Sequence, residues 1–312
     1  MSQQPLIKFL DEKFEENEKT ALSERTFMYD GVLYPANFCC LEVLKSIHTF
    51  RAREDDIILV SYPKSGSFWV QKILMHLEAA SGEYEEDKWK QRLETLQELS
   101  LTSLLEFGGP GKFEVMDKQA SRRVIKTHLI PQKLPRSIFE KKAKILVLLR
   151  NPKDTVVSYF HFSKGVKLIP EQETWDEFFE DFVTGKVVFG SYFDHIIEWN
   201  KYFDENNLFF ITYEEIKENP TSALKKIAKF LDFSVTEEKI ESIVKETCFE
   251  SMKANAGTYG KVGPVLFRKG IIGDWMSVFS ESQNKKMDRK FEETVAKTKL
   301  GMKLKYEVYC KN

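Results

Sequence analysis

Four short runs of almost uninterrupted apolar residues alternate with longer segments of helical periodicity along this chain. The runs are IILVSY (57–62), RVIKTH (123–128), KILVLL (144–149) and LFFITY (208–213). Runs of this length predict strands that are buried on both faces, as in parallel sheets covered by helices. The segments with helical spacing lie at 68–80, 152–162, 175–183, 192–203 and 220–231. The alternation predicts an α/β fold with a central parallel sheet flanked by helices.

Two of the predicted helices have clear start signals, and no feature of the sequence marks a boundary between domains. Asn151-Pro152 and Asn219-Pro220 each combine a capping side chain with the proline favoured at the first helical position. Without internal repeats, a Ser/Gly linker or a break in composition, residues 1–312 predict a single domain with its core at about 40–300. The alternating charges of 83–98 predict a solvated helix. Five of the fifteen glycines lie in 254–273, which predicts a long loop.

Composition restricts the compartment and the partners of the protein. Lys and Arg total 47 against 48 Asp and Glu, so the net charge of -1 predicts binding to neither nucleic acid nor an anionic membrane. Four cysteines, with Cys39 and Cys40 adjacent, predict free thiols in a reducing compartment. The N-terminal segment lacks a signal-peptide apolar core, and no apolar run approaches the roughly 20 residues of a membrane span. We therefore predict a cytoplasmic protein. Because the net charge is balanced, any anion-binding site must come from a local cluster of basic residues.

The most specific local pattern is a strand, a short turn and a helix within IILVSYPKSGSFWVQKIL. Gly66 allows close approach of the backbone to a phosphate, the following helix offers unpaired N–H groups, and Lys64 and Ser65 add side-chain donors. This pattern predicts a P-loop-like phosphate-binding site. In a Walker A loop, however, the lysine follows the last glycine, whereas Lys64 precedes the only one. The alternative is an ordinary capped turn with an exposed lysine.

Two further segments carry residues suited to a second phosphate. RNPKDTVVSYFHF places Arg150 at the carboxyl end of a predicted strand and Ser158 about two turns into the next helix. FRKG adds Arg268 and Lys269 in the glycine-rich segment. The alternatives are an ion pair between Arg150 and Asp154 in the first segment and a solvated basic turn in the second.

Taken together, these segments resemble the cytosolic sulfotransferases. YPKSGSFW (62–69), RNPKDTVVSYFHF (150–162) and FRKGIIGDW (267–275) are similar to the two nucleotide-binding signatures and the RKG loop of that family. The resemblance covers about 57–275. It implies transfer of a sulfuryl group from 3'-phosphoadenosine 5'-phosphosulfate (PAPS) to a hydroxyl or amine of a small acceptor, such as a phenol, steroid or iodothyronine. The nucleotide product is then adenosine 3',5'-bisphosphate (PAP).

The resemblance also implies which residues contact PAPS. The loop around the 5'-phosphosulfate comprises Lys64, Ser65, Gly66, Ser67, Phe68 and Trp69, with Trp69 against the adenine. The 3'-phosphate site comprises Arg150, Ser158, Arg268, Lys269 and Gly270, and Phe267 is a further cofactor-binding residue. The further adenine contacts are Tyr213, Thr247 and Phe249. From the residues alone, Trp69 and Tyr213 can equally be packing residues of the core.

His128, at the end of a predicted strand, is the candidate general base. The family has a lysine, a threonine and a catalytic histidine in the motif VIKTHL, which implies catalytic roles for Lys126 and His128. A histidine with its ordinary pKa of about 6.5 can accept a hydroxyl proton near neutral pH. By analogy with phosphoryl transfer, Lys64 and Lys126 would stabilise charge on the leaving phosphate. The other four histidines lack metal-ligand spacing, so we predict no catalytic metal.

Departures from the family pattern leave several points open. Ser67 and Phe68 stand where the family often has two threonines, and Ile130 separates Leu129 from Pro131 where the family commonly has Leu-Pro. The family's dimerisation pattern, K-x-x-x-T-V-x-x-x-E, is not recognisable, which leaves a homodimer open, and the acceptor is not identified. Two other functions are alternatives: a P-loop-type nucleotide kinase, and a non-catalytic nucleotide-binding protein on the same fold.

Overall fold

The centre of the molecule is a four-stranded parallel sheet in the order β4-β3-β5-β6. The computed structural model describes residues 11–12, 15–16, 18–81, 94, 103–170 and 173–311, so the predicted helix at 83–98 lies outside the described residues except for position 94. The strands of the sheet are β3 (Ile57–Ser61), β4 (Val124–Thr127), β5 (Lys144–Leu149) and β6 (Leu208–Thr212), preceded by an antiparallel pair, β1 (Thr26–Tyr29) and β2 (Val32–Pro35). The predicted α/β fold with a parallel sheet is confirmed.

Successive residues of the central strands point into opposite layers of the molecule. In β5, Ile145 and Val147 belong to one hydrophobic core, whereas Leu146 and Leu148 belong to the other. Both faces of the strand are therefore apolar. This explains why the sequence shows an unbroken apolar run instead of an alternating one.

Helices cover both faces of the sheet. In chain order they are α1 (Leu41–Ser46), α2 (Ser67–Ser81), α3 (Lys112–Asp117), α4 (Arg136–Glu140), α5 (Pro152–Gly165), α6 (Trp175–Thr184), α7 (Tyr192–Asn200), α8 (Tyr213–Glu218), α9 (Pro220–Phe230), α10 (Glu237–Glu246), α11 (Phe249–Ala254), α12 (Gly263–Leu266), α13 (Glu281–Thr294), α14 (Lys299–Lys303) and α15 (Tyr306–Cys310). Short 3-10 helices span Leu22–Glu24, Ile47–Thr49, Pro131–Lys133, Ala256–Val262 and Asp274–Ser277. Helices α2, α9 and α10 pack on one face, and α5, α6 and α7 pack on the other.

Both predicted helix starts are confirmed by their capping hydrogen bonds. The Asn151 side chain accepts from the N–H of Asp154 at 2.8 Å, and the Asn219 side chain accepts from the N–H of Ser222 at 3.2 Å. The first cap fixes α5 directly after β5. Strands β3 and β5 are parallel neighbours in the sheet. The carboxyl end of β5 and the start of α5 therefore lie beside the loop that joins β3 to α2, at the end of the sheet where the strands finish.

The prediction of one long loop at 254–273 is wrong for most of that segment. It contains the 3-10 helix Ala256–Val262, which is interrupted by non-helical dihedrals at Tyr259 and Gly260, and the helix α12; Asn255 and 267–273 are irregular. Gly263 has a helical φ of -52°, and a Cβ there would overlap the carbonyl group of Ala256. This glycine allows close packing of the backbone, a role that composition alone does not distinguish from that of a loop glycine.

The cysteines are free thiols, as predicted, and all four lie among the described residues. Cys39 and Cys310 are buried, and burial raises the pKa of both thiols. A thiol with a raised pKa is mainly protonated at neutral pH and is a weak nucleophile. In the described part of the chain, no helix has the length and apolar composition needed to cross a bilayer.

Candidate active site

Two residues with positive φ shape the loop between β3 and α2. They are Lys64, with φ 68°, and Gly66, with φ 102°. The loop is closed by the N–H of Ser65, which donates to the Tyr62 carbonyl at 3.2 Å. A Cβ on Gly66 would lie 2.9 Å from the Tyr213 ring, so both the conformation and the space require glycine. The first turn of α2 follows at once with N–H groups that have no carbonyl partner within the helix.

Polar groups at this loop have the character of an anion site. The Ser65 hydroxyl and the Arg150 Nε are buried and have no hydrogen-bond partner among the described residues. Burial, reinforced by repulsion from Arg150 and Arg268, lowers the pKa of the Lys64 ammonium to about 7. Bound phosphates would supply both the missing acceptors and the missing negative charge, so Lys64 and Ser65 fit the 5'-phosphosulfate group of PAPS and Arg150 fits its 3'-phosphate.

Arg150 extends across the end of the sheet towards the same loop. Its Nη1 donates to the Lys64 carbonyl at 3.1 Å, and its guanidinium carbon lies 4.4 Å from the centre of the Tyr213 ring. Asp154 does not provide the ion pair of the alternative interpretation. Its carboxylate instead accepts from the Asn151 side-chain amide at 2.8 Å and from the N–H of Gly273 at 2.8 Å. Arg150 is therefore directed at the cavity, whereas Asp154 fixes the backbone that follows the RKG segment.

Asp274 pairs with both cations of the RKG segment. Its carboxylate contacts the Arg268 guanidinium and the Lys269 ammonium. Burial acts to raise the pKa of Asp274, but hydrogen bonds from the two cations outweigh it, and the net pKa lies below the usual range. Ser158 on α5 lines the same cavity. A phosphate placed here would compete with Asp274 for the two cations.

Aromatic residues line the side of the cavity where the sequence predicts adenine contacts. The Trp69 Nε1 donates to the Thr247 carbonyl at 2.7 Å, and the Trp69 and Tyr213 rings meet edge to face at 5.3 Å between centroids. Gly270 has φ 65°, and a Cβ there would overlap the Phe249 ring. The Thr247 hydroxyl bonds back into its own helix. Thr247 therefore acts on the cavity through Trp69.

His128 follows β4 and lines the cavity. Its Nδ1 lies 2.8 Å from the backbone carbonyl oxygen of Ser61. Because a carbonyl oxygen only accepts, Nδ1 carries the hydrogen and Nε2 keeps the free lone pair. Burial lowers the pKa of His128 to about 4, the Ser61 hydrogen bond opposes this, and the positive charges of Lys126 and Lys64 reinforce it. At neutral pH the ring is therefore neutral, with a fixed acceptor nitrogen.

Two ammonium groups lie against aromatic rings beside this histidine. The Lys126 Nζ is 3.9 Å from the centre of the Phe68 ring, and the Lys64 Nζ is 3.9 Å from the centre of the Phe162 ring. Burial lowers the pKa of Lys126 to about 7. Phe68 also meets the Tyr259 ring edge to face at 5.8 Å. The phenylalanine in place of the family threonine thus joins the phosphate loop to Lys126 and to the segment above the cavity.

The wall next to His128 is formed by stacked aromatic rings. Phe38 stacks on Phe107 at 5.2 Å, and Phe107 stacks on Phe189 at 6.4 Å. The Phe189 ring in turn meets the His128 ring edge to face at 5.0 Å. Together with Phe162, these residues form an aromatic chamber, and all four phenylalanines line the cavity.

Residues 54–299 match the family model of the sulfotransferase domain. The matched range is more than half of the 312 residues and includes Lys64, His128 and Arg268. The chain belongs to the sulfotransferase family. The family predicted from the three sequence segments is confirmed.

This sulfotransferase has relatives that match nearly its whole length. It is 47% identical over 305 residues to human Sulfotransferase 6B1, with 97% of each chain covered. Sulfotransferase 1A1 of Canis lupus familiaris is 35% identical over 259 residues, which are 79% of this chain and 85% of that relative. The crystal structure of mouse sulfotransferase SULT7A1 complexed with PAP has a TM-score of 0.78 and 34% identity, covering 91% of this chain and 99% of that chain.

The fold of this sulfotransferase brings most of the predicted site residues to one cavity. Those that line it are Lys64, Gly66, Ser67, Phe68, Trp69, His128, Arg150, Ser158, Tyr213, Phe249, Phe267, Arg268, Lys269 and Gly270. Ser65, Lys126 and Thr247 are outside the lining, with Lys126 against Phe68 and Thr247 against Trp69. Within the described ranges, no cluster of His, Cys, Asp and Glu could hold a metal ion.

Sequence reasoning missed two carboxylates and the aromatic chamber. Asp274 was present in the quoted segment FRKGIIGDW but was not assigned a role. Glu106, in LLEFGGPG, bonds with the strand that carries the candidate base. Its motif has no signal that distinguishes it from a surface residue. Both residues are recognised only after the chain has folded and brought them to their partners.

Proposed function

We propose that this sulfotransferase acts in the cytoplasm and transfers the sulfuryl group of PAPS to a hydroxyl or amine of a small acceptor, with His128 as the general base. The observation that carries the proposal is the position of His128. Its acceptor nitrogen is fixed by the bond of Nδ1 to Ser61, and the residue lines a cavity that has a cationic loop on one side and aromatic rings on the other. The family match does not support the kinase or the non-catalytic alternative.

The donor-binding residues divide the cavity into regions. The loop from Lys64 to Trp69 holds the 5'-phosphosulfate, and Arg150, Ser158, Arg268 and Lys269 hold the 3'-phosphate. The mouse relative SULT7A1, whose crystal structure is a complex with PAP, supports binding of this nucleotide by the fold. When bound, PAPS supplies the sulfuryl group and a leaving phosphate.

The chain's own residues perform three tasks around the reacting groups. His128 Nε2 accepts the acceptor proton, and the negative charge of a bound donor favours the imidazolium that forms. Lys64 neutralises charge that develops on the leaving phosphate. Lys126, which lies behind the cavity lining against the Phe68 ring, adds a second positive charge near the leaving phosphate. No covalent bond between the protein and the substrate is required.

The acceptor side is suited to flat apolar molecules. Phe38, Phe107, Phe162 and Phe189 provide ring faces and edges, which favour aromatic or steroid surfaces. An apolar wall of this kind distinguishes between acceptor molecules by their shape. Phenols, steroids and iodothyronines are therefore the acceptor classes to test first, with the reacting hydroxyl at His128.

The test of the proposed base is the variant His128→Ala with labelled PAPS and phenols of graded pKa. We expect kcat/KM for weakly acidic phenols to fall about 10²–10⁴-fold, because a general base contributes about that much. Phenols already ionised at the assay pH should lose much less, because they have no proton to remove. The matched control is His48→Ala, an exposed histidine of the 3-10 helix Ile47–Thr49.

Titration of each variant with PAP establishes that its donor site is intact. A small loss of equal size across the phenol series would show that His128 is not the base. Phosphoryl transfer from ATP by the wild type, with no use of PAPS, would replace the proposed function with that of a kinase.

A further inference from the structure

A buried carboxylate, Glu106, lies directly behind the proposed base. Its side chain is 0% exposed. One oxygen accepts from the His128 backbone N–H at 2.8 Å, and the other accepts from the Thr127 hydroxyl at 2.9 Å. Burial raises the pKa of Glu106, and these hydrogen bonds oppose the increase. The His128 N–H can only donate, and the Thr127 hydroxyl, which accepts from the Leu129 N–H at 3.1 Å, directs its own hydrogen to Glu106, so the carboxylate completes both of these hydrogen bonds.

The segment that carries Glu106 links the two sides of the active site. The Lys126 N–H donates to the Ser103 carbonyl at 2.9 Å, and the Leu105 N–H donates to the Lys126 carbonyl at 2.8 Å. From the helix after the phosphate loop, the Gln71 side chain donates to the Ser103 hydroxyl at 2.9 Å. Residues 103–106 therefore join α2, which begins at the donor loop, to β4, which ends at the proposed base.

Glu106 is also the negative group that acts on Lys126. The Lys126 ammonium is buried and has no hydrogen-bond partner in the part of the chain that the structure describes. Glu106 raises the pKa of Lys126 against the effect of burial, whereas the positive charge of Lys112 lowers it. Lys112, on α3, donates to the backbone carbonyls of Leu104 and Phe107. The Lys126 Nζ also lies 3.9 Å from the centre of the Phe68 ring, which has no charge to titrate, and the positive charge of Lys126 lowers the pKa of His128.

On the basis of the proposed function, we propose that Glu106 is a positioning residue for sulfuryl transfer, which fixes the backbone at His128 and supplies the counter-charge of the Lys126 ammonium. Glu106 does not line the cavity and so acts through these two residues. The two effects are separable, because one depends on hydrogen bonds and the other on charge.

The variant Glu106→Gln separates charge from geometry. Its amide has the same shape, its oxygen can accept from the His128 N–H, and its nitrogen can donate to the Thr127 hydroxyl. We expect the alkaline limb of the kcat profile to move to lower pH by about one unit, because an opposite charge nearby shifts a pKa by about 1–3 units. The acceptor KM and the affinity for PAP should stay at the wild-type values. Glu106→Ala should show the same shift and, in addition, a lower kcat at every pH.

The matched variant is Thr127→Val, which removes one hydrogen bond to Glu106 but leaves its charge. It should lower kcat without moving the alkaline limb. A Glu106→Gln profile identical to that of the wild type would overturn the electrostatic role, and a wild-type kcat in Glu106→Ala would overturn the positional role. A lower Tm with an unmoved limb in Glu106→Gln would reduce Glu106 to a structural residue.

The test gives an answer even if one variant does not fold, and it separates failure of the proposed function from failure of the role of Glu106. If Glu106→Ala does not fold, Glu106→Gln and Thr127→Val still give the outcome. Absence of sulfuryl transfer in the wild type would contradict the proposed function, whereas wild-type activity with unchanged variants would contradict only the role of Glu106.

Discussion

Binding of the donor product PAP should be accompanied by proton uptake at Lys64. In the free protein, burial and the nearby charges of Arg150 and Arg268 lower the pKa of Lys64 to about 7. About one Lys64 in ten is then protonated at pH 8 and about half at pH 7. A bound phosphate at the loop would restore the pKa to near its ordinary value of about 10.4. We therefore expect uptake of about 0.9 proton per PAP at pH 8 and about half a proton at pH 7.

Calorimetric titration of PAP in buffers with different ionisation enthalpies measures this uptake, because the slope of the observed enthalpy gives the number of protons. At pH 8 the phosphates of PAP are ionised, since their second pKa is about 6, and they do not contribute. Lys64→Ala should lower the slope by about 0.9 proton at pH 8. Arg268→Ala should weaken binding but keep the slope. A slope near zero in the wild type, or an equal slope in Lys64→Ala, would refute the assignment of Lys64 to the anion.

Three variants separate the tasks of the cavity residues. Lys64→Ala should lower kcat more than it weakens PAP, whereas Arg268→Ala should mainly weaken PAP, by about 10- to 150-fold for the loss of about 1.5–3 kcal/mol. Steady-state kinetics measure kcat, and calorimetry measures the affinity for PAP. Equal losses of PAP affinity in the two variants, with kcat retained in both, would contradict these roles. Phe68→Thr removes the ring against Lys126 and Tyr259 but keeps the backbone N–H, so kcat/KM for bulky phenols should rise relative to small ones at unchanged PAP affinity. An unchanged ratio across acceptor sizes would show that the Phe68 ring does not limit the chamber.

The fold could be predicted from the sequence because its strands are buried on both faces. The apolar runs at 57–62 and 144–149 correspond to the observed strands Ile57–Ser61 and Lys144–Leu149. Asn151 and Asn219 mark helix starts through bonds to residues three positions ahead, which are local signals. Features determined by neighbours in sequence are therefore the ones that the sequence analysis placed correctly.

Features determined by distant neighbours were missed. Glu106 bonds with residues 21 and 22 positions away, so its chemistry depends on how the segment before β4 packs. Gly263 allows a close backbone approach to Ala256, a use of glycine that composition does not distinguish from a loop. Thr247 was not missed, but only the resemblance indicated it, because it contacts Trp69 through its carbonyl group, which every residue type has.

The two missed carboxylates explain how a chain with a net charge of -1 sustains a cationic cavity. Asp274 pairs with Arg268 and Lys269, whose side chains are 29% and 45% exposed, so an incoming phosphate can reach the same two cations. Glu106 is fully buried and is held by the backbone of His128, so it cannot be displaced. The first carboxylate therefore balances charge until the donor arrives, and the second balances charge throughout the reaction. Removal of Asp274 should leave cations that bind phosphate more tightly, whereas removal of Glu106 should change the chemistry without changing phosphate binding.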